Sequence, residues 1–306
     1  MGRILAGAGG WGYFSGGLVP YARAFPFVEV NATFYRRVSE SGARRWRASV
    51  PREFTFSVKA HRDVTHGAGL RATPAARAAF AATARVASIL RAPFVVLETP
   101  ASLALGPDEL AGLRAFAEMT PEGVRLGLEA RAYAEGPLPA SVARTLEEHR
   151  VLDVVDLSRS APRVEADVVY TRLFGKGKHN VYEFDDEELQ ALDRSGRDAE
   201  TVAYAFHGVR MYKDAARFLT FRRTGSFPPA TGSVGLDSLA EVLAPDARFP
   251  ATREELVRDQ GWKVIDLRPD RRAHAWTILS ELPVRLYRSL DDVRSAASGN
   301  PLFSKE

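Results

Sequence analysis

Short, nearly continuous apolar runs recur along the first two-thirds of the chain, and most end on a polar or charged residue. They are Ile4–Gly9, Phe27–Thr33, Thr55–His61, Phe94–Thr99, Arg125–Arg131, Val151–Ser158, Val168–Gly175 and Ala203–Gly208. A run of this kind is a strand buried on both faces, as in a parallel sheet covered by helices. The stretches between the runs are mostly long enough for helices. Ala75–Leu90 is Ala-rich with spaced Val, Ile and Leu, which suits a helix. Asp108–Met119 and Asp186–Ser195 are similar. The second of these has Asp185 or Asp186 as its cap, and Glu187 and Glu188 in the first turn, where the helix dipole favours anions. Eight strand–helix alternations imply right-handed crossovers and predict an α/β fold, a closed (β/α)8 TIM barrel whose working site lies at the strand C-termini. An open doubly wound sheet uses the same alphabet. The count of eight favours the barrel. So does the run Gly7-Ala8-Gly9-Gly10, which continues into Trp11 and Tyr13 instead of opening a helix as a dinucleotide loop does.

The predicted barrel domain spans residues 1–224. Arg223–Gly232 is a turn-rich linker by composition, and residues 233–306 are expected to form a small, separable helical module. There Thr252 and Glu255 have the spacing of a capping box. Trp262–Leu267 reads as a strand or a helical turn, Ala273–Leu279 as helix, and Ser289 starts a final helix.

Composition narrows the class. The 306 residues are 45% hydrophobic and 26% charged, which fits a globular chain. No apolar run approaches the ~20 residues of a membrane helix, so no membrane partner is expected. With no cysteine in the chain, disulfides, thiolate nucleophiles and thiolate metal sites drop out. Together with an N-terminus that lacks a secretory pattern, this predicts a cytoplasmic location. The formal charge is +4. Between residues 36 and 53, six arginines face only Glu40 and Glu53. Such a patch either attracts phosphate or forms a solvated helix face, and the second is the commoner outcome.

Several segments carry a family likeness. Gly10-Trp11-Gly12-Tyr13, Val28-Glu29-Val30-Asn31-Ala32-Thr33-Phe34-Tyr35, Trp46, Phe54 to Ala60, Thr65-His66, Tyr170 to Gly175 and Tyr182-Glu183-Phe184 resemble the YecE-like proteins, domain of unknown function family 72. The likeness covers roughly residues 3–222. It implies a TIM barrel and assigns no activity. The chain departs from the usual pattern at Glu98, where many relatives have Gln, at Glu129-Ala130-Arg131, which lacks a following Trp, and at Phe206-His207-Gly208, in place of Phe-Asn-Asn. The C-terminal segment from Leu279 to Val293 more loosely resembles domain of unknown function 2795.

Polar residues at barrel strand ends line the site. On this ground Glu29, Lys59, Glu98 and Glu129 are candidate catalytic groups, and Trp11, Tyr13, Asn31, Arg131, Arg172 and His207 candidate binding groups. His61 shares the face of Lys59, Asp156 follows the sixth run, and His66 reads as a loop-ordering residue. Three chemistries fit the set. Arg131, Arg172 and Lys59 can grip a phosphate or carboxylate while a glutamate moves the proton. Glu29, Glu98, Glu129, Asp156 and His207 offer ligands to a divalent metal ion. Lys59 can form a Schiff base. Crowded carboxylates are expected to raise at least one pKa and leave an acid poised near neutrality. The working expectation is a phosphoester hydrolase acting on a nucleic acid, a nucleotide or another phosphate-bearing molecule. The alternatives are a non-catalytic ligand-binding or scaffold protein, with the cations and carboxylates neutralising each other, and a sugar isomerase or lyase. The sequence names no protein partner.

Overall fold

A computed structural model describes residues 2–178 and 180–303. Eight strands, β1 (Arg3–Ala8), β2 (Phe27–Val30), β3 (Thr55–Lys59), β4 (Phe94–Glu98), β5 (Arg125–Glu129), β6 (Leu152–Asp153), β7 (Val168–Leu173) and β8 (Thr201–Phe206), form one parallel sheet. Their order is β6-β5-β4-β3-β2-β1-β8-β7. The two ends meet through a single parallel bridge, Val155 to Thr171, and a hydrogen bond from the Arg172 amide to the Val155 carbonyl. The sheet is therefore a nearly closed barrel, as predicted. Every strand falls within its apolar run or within two residues of it. The runs overreach at their C-terminal ends, because the polar residues there leave the ladder to enter loops.

The helices in chain order are α1 (Leu18–Ala24), α2 (Ala32–Tyr35), α3 (Glu40–Ala48), α4 (Pro74–Leu90), α5 (Pro107–Glu118), α6 (Ala140–Glu148), α7 (Asp186–Ser195) and α8 (Met211–Thr224). Helix α4 shows why the pattern was readable. Thr73 accepts from the Ala76 amide as N-cap, Pro74 opens the first turn, and a buried Ala, Phe, Val and Leu stripe faces the sheet. No helix among the described residues is long and apolar enough to cross a membrane.

Strand alternation sorts the barrel side chains into rows. Leu5, Phe27, Phe94, Val96, Leu152, Val154, Tyr170, Ala203 and Ala205 pack together as the inner core. Two residues further along the same inward rows stand Glu29 after Phe27, Glu98 after Val96, and Arg172 after Tyr170. Lys59 follows Ser57 and Glu129 follows Gly127 in the same way. The apolar plug thus gives way to a charged layer at the C-terminal end of the strands.

The chain divides into two units. One holds residues up to Leu173, Leu192–His207 and Met211–Ala216. The other holds Phe174–Ala191, Gly208–Arg210 and the chain from Arg217 onward. In the second unit, α9 (Leu236–Leu243), α10 (Arg253–Gln260), α11 (Trp276–Leu279) and α12 (Leu290–Ala297) surround two short antiparallel pairs. These pairs are β9 (Ala251–Thr252) with β12 (Leu286–Tyr287), and β10 (Val264–Arg268) with β11 (Arg271–His274). The Thr252–Glu255 capping box forms as read. β10 falls where Trp262–Leu267 reads as a strand or a helical turn, whereas β9, β11 and β12 are not in the helical expectation, and Ala273–Leu279 divides between β11 and α11. Each strand is too short to display a period.

Candidate functional site

The barrel-end charges meet as one network. Arg172, 1% exposed, lies 3.2 Å from Glu29 and also pairs with Glu98 and Glu129. Lys59 Nζ is 2.7 Å from Glu98, and Arg131 reaches Glu98 at 3.1 Å and Glu129 at 2.9 Å. Glu98 and Glu129 are directly paired residues of neighbouring strands. Two carboxylates so placed repel, and the cations between them offset that repulsion. Glu29 is fully buried and takes a further hydrogen bond of 2.9 Å from the Tyr170 hydroxyl. Since Tyr170 has one proton to give, Ser57, 2.6 Å away, donates to it. His207 Nε2 stands 3.2 Å from Glu29.

Burial and charge oppose one another here. Burial pushes Glu29 and Glu98 upward, but Arg172 and the other cations overcome it. Glu29 is held well below the usual carboxylate range, and Glu98 falls to about 2. Neither is the proton-holding acid that crowding was expected to create, because each lies against a fixed guanidinium. Burial, reinforced by Arg172, lowers the Lys59 amine to about 8. Burial and then Arg172 also lower His207, keeping it neutral at pH 7. The group drawn toward neutrality is therefore the lysine.

Of the candidate residues, Glu29, Lys59, Glu98, Glu129, Arg131, Arg172 and His207 are brought together. Arg172 is enclosed by carboxylates and 1% exposed, whereas Arg131, which also pairs with Glu98 and Glu129, is about one-third exposed and so within reach of an incoming anion. Asn31 follows β2, and its Oδ1 is buried without a hydrogen-bond partner. Trp11 and Tyr13 lie outside the network, in the loop after β1. Trp11 packs edge-on against Trp46 at 5.1 Å, and Tyr13 is 92% exposed. Asp156 accepts from the Ser158 amide and hydroxyl. The glycine run after β1 has a packing reason: a Cβ on Gly9 would stand 2.1 Å from the His207 ring.

The two histidines after β3 are placed differently. His61 Nδ1 accepts from the Asp63 amide within the turn. His66 instead lies in electrostatic range of Glu98, Lys59 and Arg131. Its distance along the chain from a strand end hid this.

Glu29, Glu98 and Glu129 each pair with Arg172, and Glu98 and Glu129 also with Lys59 or Arg131, so their charge is already compensated by fixed cations and they fit a resident metal poorly. Among the described residues, three potential ligands converge only in the second unit, at Asp185, Glu188 and His274. Asp185 and Glu188 cap α7 reciprocally. Glu188 also takes Tyr182 at 2.6 Å and Lys176 at 2.9 Å. Helix capping accounts for Asp185 and Glu188, and His274 packs beside them at 3.3 Å and 3.6 Å.

Fold and charge placement define a TIM-barrel-like α/β protein with an ionic layer where such barrels carry their sites. The chain belongs to the family described as protein of unknown function DUF72, whose family model matches residues 15–222. It is similar to the crystal structure of a DUF72 family protein from Enterococcus faecalis V583, with 15% identity and a TM-score of 0.57 over 73% of this chain and 98% of that one. A DUF72 family protein from Thermotoga maritima MSB8 is comparable, with 18% identity and a TM-score of 0.56 over 72% and 99%. At these identities the likeness speaks for the fold. No curated protein matches the chain.

Proposed function

We propose that the barrel end is the active site of a phosphoester hydrolase acting on a nucleotide or nucleic acid, with Lys59 as general acid. The carrying observation is the Lys59–Glu98 pair: a buried ammonium at a strand end, 2.7 Å from a carboxylate, with its pKa drawn down to about 8. An acid that titrates near the working pH both holds its proton and releases it readily. In this reading Lys59 protonates the leaving oxygen while Arg131 neutralises the phosphoryl oxygens. Asn31 Oδ1, buried and unpartnered, accepts from a substrate hydroxyl or amine. Exposed Arg36, Arg37 and Arg62, in the loops after β2 and β3, attract the anion, and Trp11, Tyr13 and Tyr35 offer faces for a base. Calorimetric titration with nucleoside monophosphates tests the binding half. Saturable binding is expected that Arg131→Ala weakens by roughly 10-fold or more, and equal affinity in the variant would refute it.

One observation favours a second reading, a non-catalytic ligand-binding or scaffold protein. Three carboxylates face three cations in the layer, so the network is neutral without a ligand.

A further inference from the structure

We infer that His66 is the second proton-transferring residue of the barrel-end site, held by the turn after β3 to act as base toward the water that attacks phosphorus. This rests on the phosphoester reading and supplies the base that reading lacks. Asp63–Gly67 forms a single π-helical turn, a rare geometry that is frequent at functional sites. Val64 and Thr65 are buried and anchor the turn, while His66 is exposed. The turn closes through the Ala68 amide on the Asp63 carbonyl at 2.9 Å and the Leu70 amide on the Val64 carbonyl at 3.0 Å. With His61 consumed inside it, His66 is the imidazole this loop presents.

The Phe34 ring ties that imidazole to Lys59. Lys59 Nζ sits 3.7 Å from the Phe34 centroid, and the His66 ring meets Phe34 at 5.0 Å in an 82° edge contact. Cation and imidazole thus pack on one aromatic ring. His66 Nδ1 lies 3.0 Å from the Thr65 hydroxyl, and donating its proton there leaves Nε2 as the acceptor. Burial lowers the pKa of His66. Glu98 opposes the shift, while Lys59, Arg131 and Arg62 extend it. The ring is therefore neutral at pH 7 while Lys59 is still charged, an acid and a base separated by their surroundings. Water oxygen forms the new bond to phosphorus and passes one proton to Nε2. The P–O bond to the leaving group breaks, and that oxygen takes a proton from Lys59. Exchange with solvent then returns a proton to Lys59 and removes one from His66.

The test uses the full chain with 13C-labelled histidine, whose six side chains are assigned at position 66 by His66→Gln. The His66 midpoint is expected below its usual value. It should rise by roughly half a unit or more in Lys59→Met, as a nearby cation is lost, and fall in Glu98→Gln, which serves alone if Lys59→Met does not fold. Inorganic phosphate should shift the His66 signal saturably in the wild type and not in Lys59→Met. A His66 midpoint indifferent to both substitutions, or a signal phosphate does not move, overturns the assignment. A chain that responds as expected yet cleaves no phosphoester keeps the proton-transfer pair and loses the phosphoester reading, so the two failures are distinct.

Discussion

Replacing Arg172 with Met removes the cation on which three carboxylates converge and keeps much of its apolar volume. Glu29 then retains the Tyr170 hydroxyl and His207, and Glu98 retains Lys59 and Arg131. Glu29 is the residue left without a fixed positive partner, at 0% side-chain exposure. Breaking a buried pair from one side costs about 3–5 kcal/mol. At about 2–4 °C per kcal/mol for a domain of this size, the melting temperature at pH 7.5 falls by roughly 6–20 °C. The pH dependence gives a sharper signature. In the wild type, the lowered pKa values of Glu29 and Glu98 supply stability that is present above the ordinary glutamate pKa and lost as pH falls below it, so their contribution is flat from pH 5 to 7.5. In Arg172→Met the largest charge holding Glu29 down is gone, and burial is expected to outweigh what His207 and Lys59 still contribute and to raise Glu29. The folded state then binds more protons than the unfolded state, and stability decreases as pH rises. Urea unfolding of both chains at pH 5, 6 and 7.5 measures this. A variant within about 1 kcal/mol of the wild type, or one with the same flat pH response, would refute the network as described.

Lys59 carries the opposite sign. Its charge is penalised while the amine is protonated, so wild-type stability should rise by about 3 kcal/mol between pH 8 and 10.5, and denaturation curves of Lys59→Met should lack that rise. Gly9→Ala should force the His207 ring away and lower stability by about 1–3 kcal/mol, read by melting; an unchanged melting temperature would contradict the close approach. Truncation after Gly232 should deprotect residues 174–191 in hydrogen exchange, because Glu183 loses the Val264 amide, Asp186 loses Arg272 and Asp185 loses His274. Unchanged protection there would show that this segment orders itself.

Much of the fold was legible because an inward row of a parallel strand has few alternatives. Phe27-Glu29, Val96-Glu98 and Tyr170-Arg172 each set an apolar residue two places before a charge, and period-two alternation alone puts those charges in one layer. Chain pattern does not encode which charge meets which. The convergence of Glu29, Glu98 and Glu129 on Arg172 depends on the barrel closing through Val155 and Thr171, a contact with no local signal. The nearness of His66 to the charged layer is hidden for a related reason. A turn one residue longer than an α-helical turn carries it back toward the strand ends, while His61, at the favourable strand spacing, is absorbed by its own loop. In the second unit the strands are two to five residues long, and β9 is set by pairing with the distant β12, so their sequences show too little alternation to be read.

The central claim is that Lys59 delivers a proton to a leaving oxygen at the barrel end. The most direct measurement is hydrolysis of nucleotide and nitrophenyl phosphodiesters and monoesters by the wild type and by Lys59→Met, with folding of both verified by melting. Turnover is expected to fall on the alkaline side with a midpoint near 8 and to drop by about 10²–10⁴-fold in the folded variant. A folded wild type inert toward every ester, or a variant that retains full turnover, would contradict it.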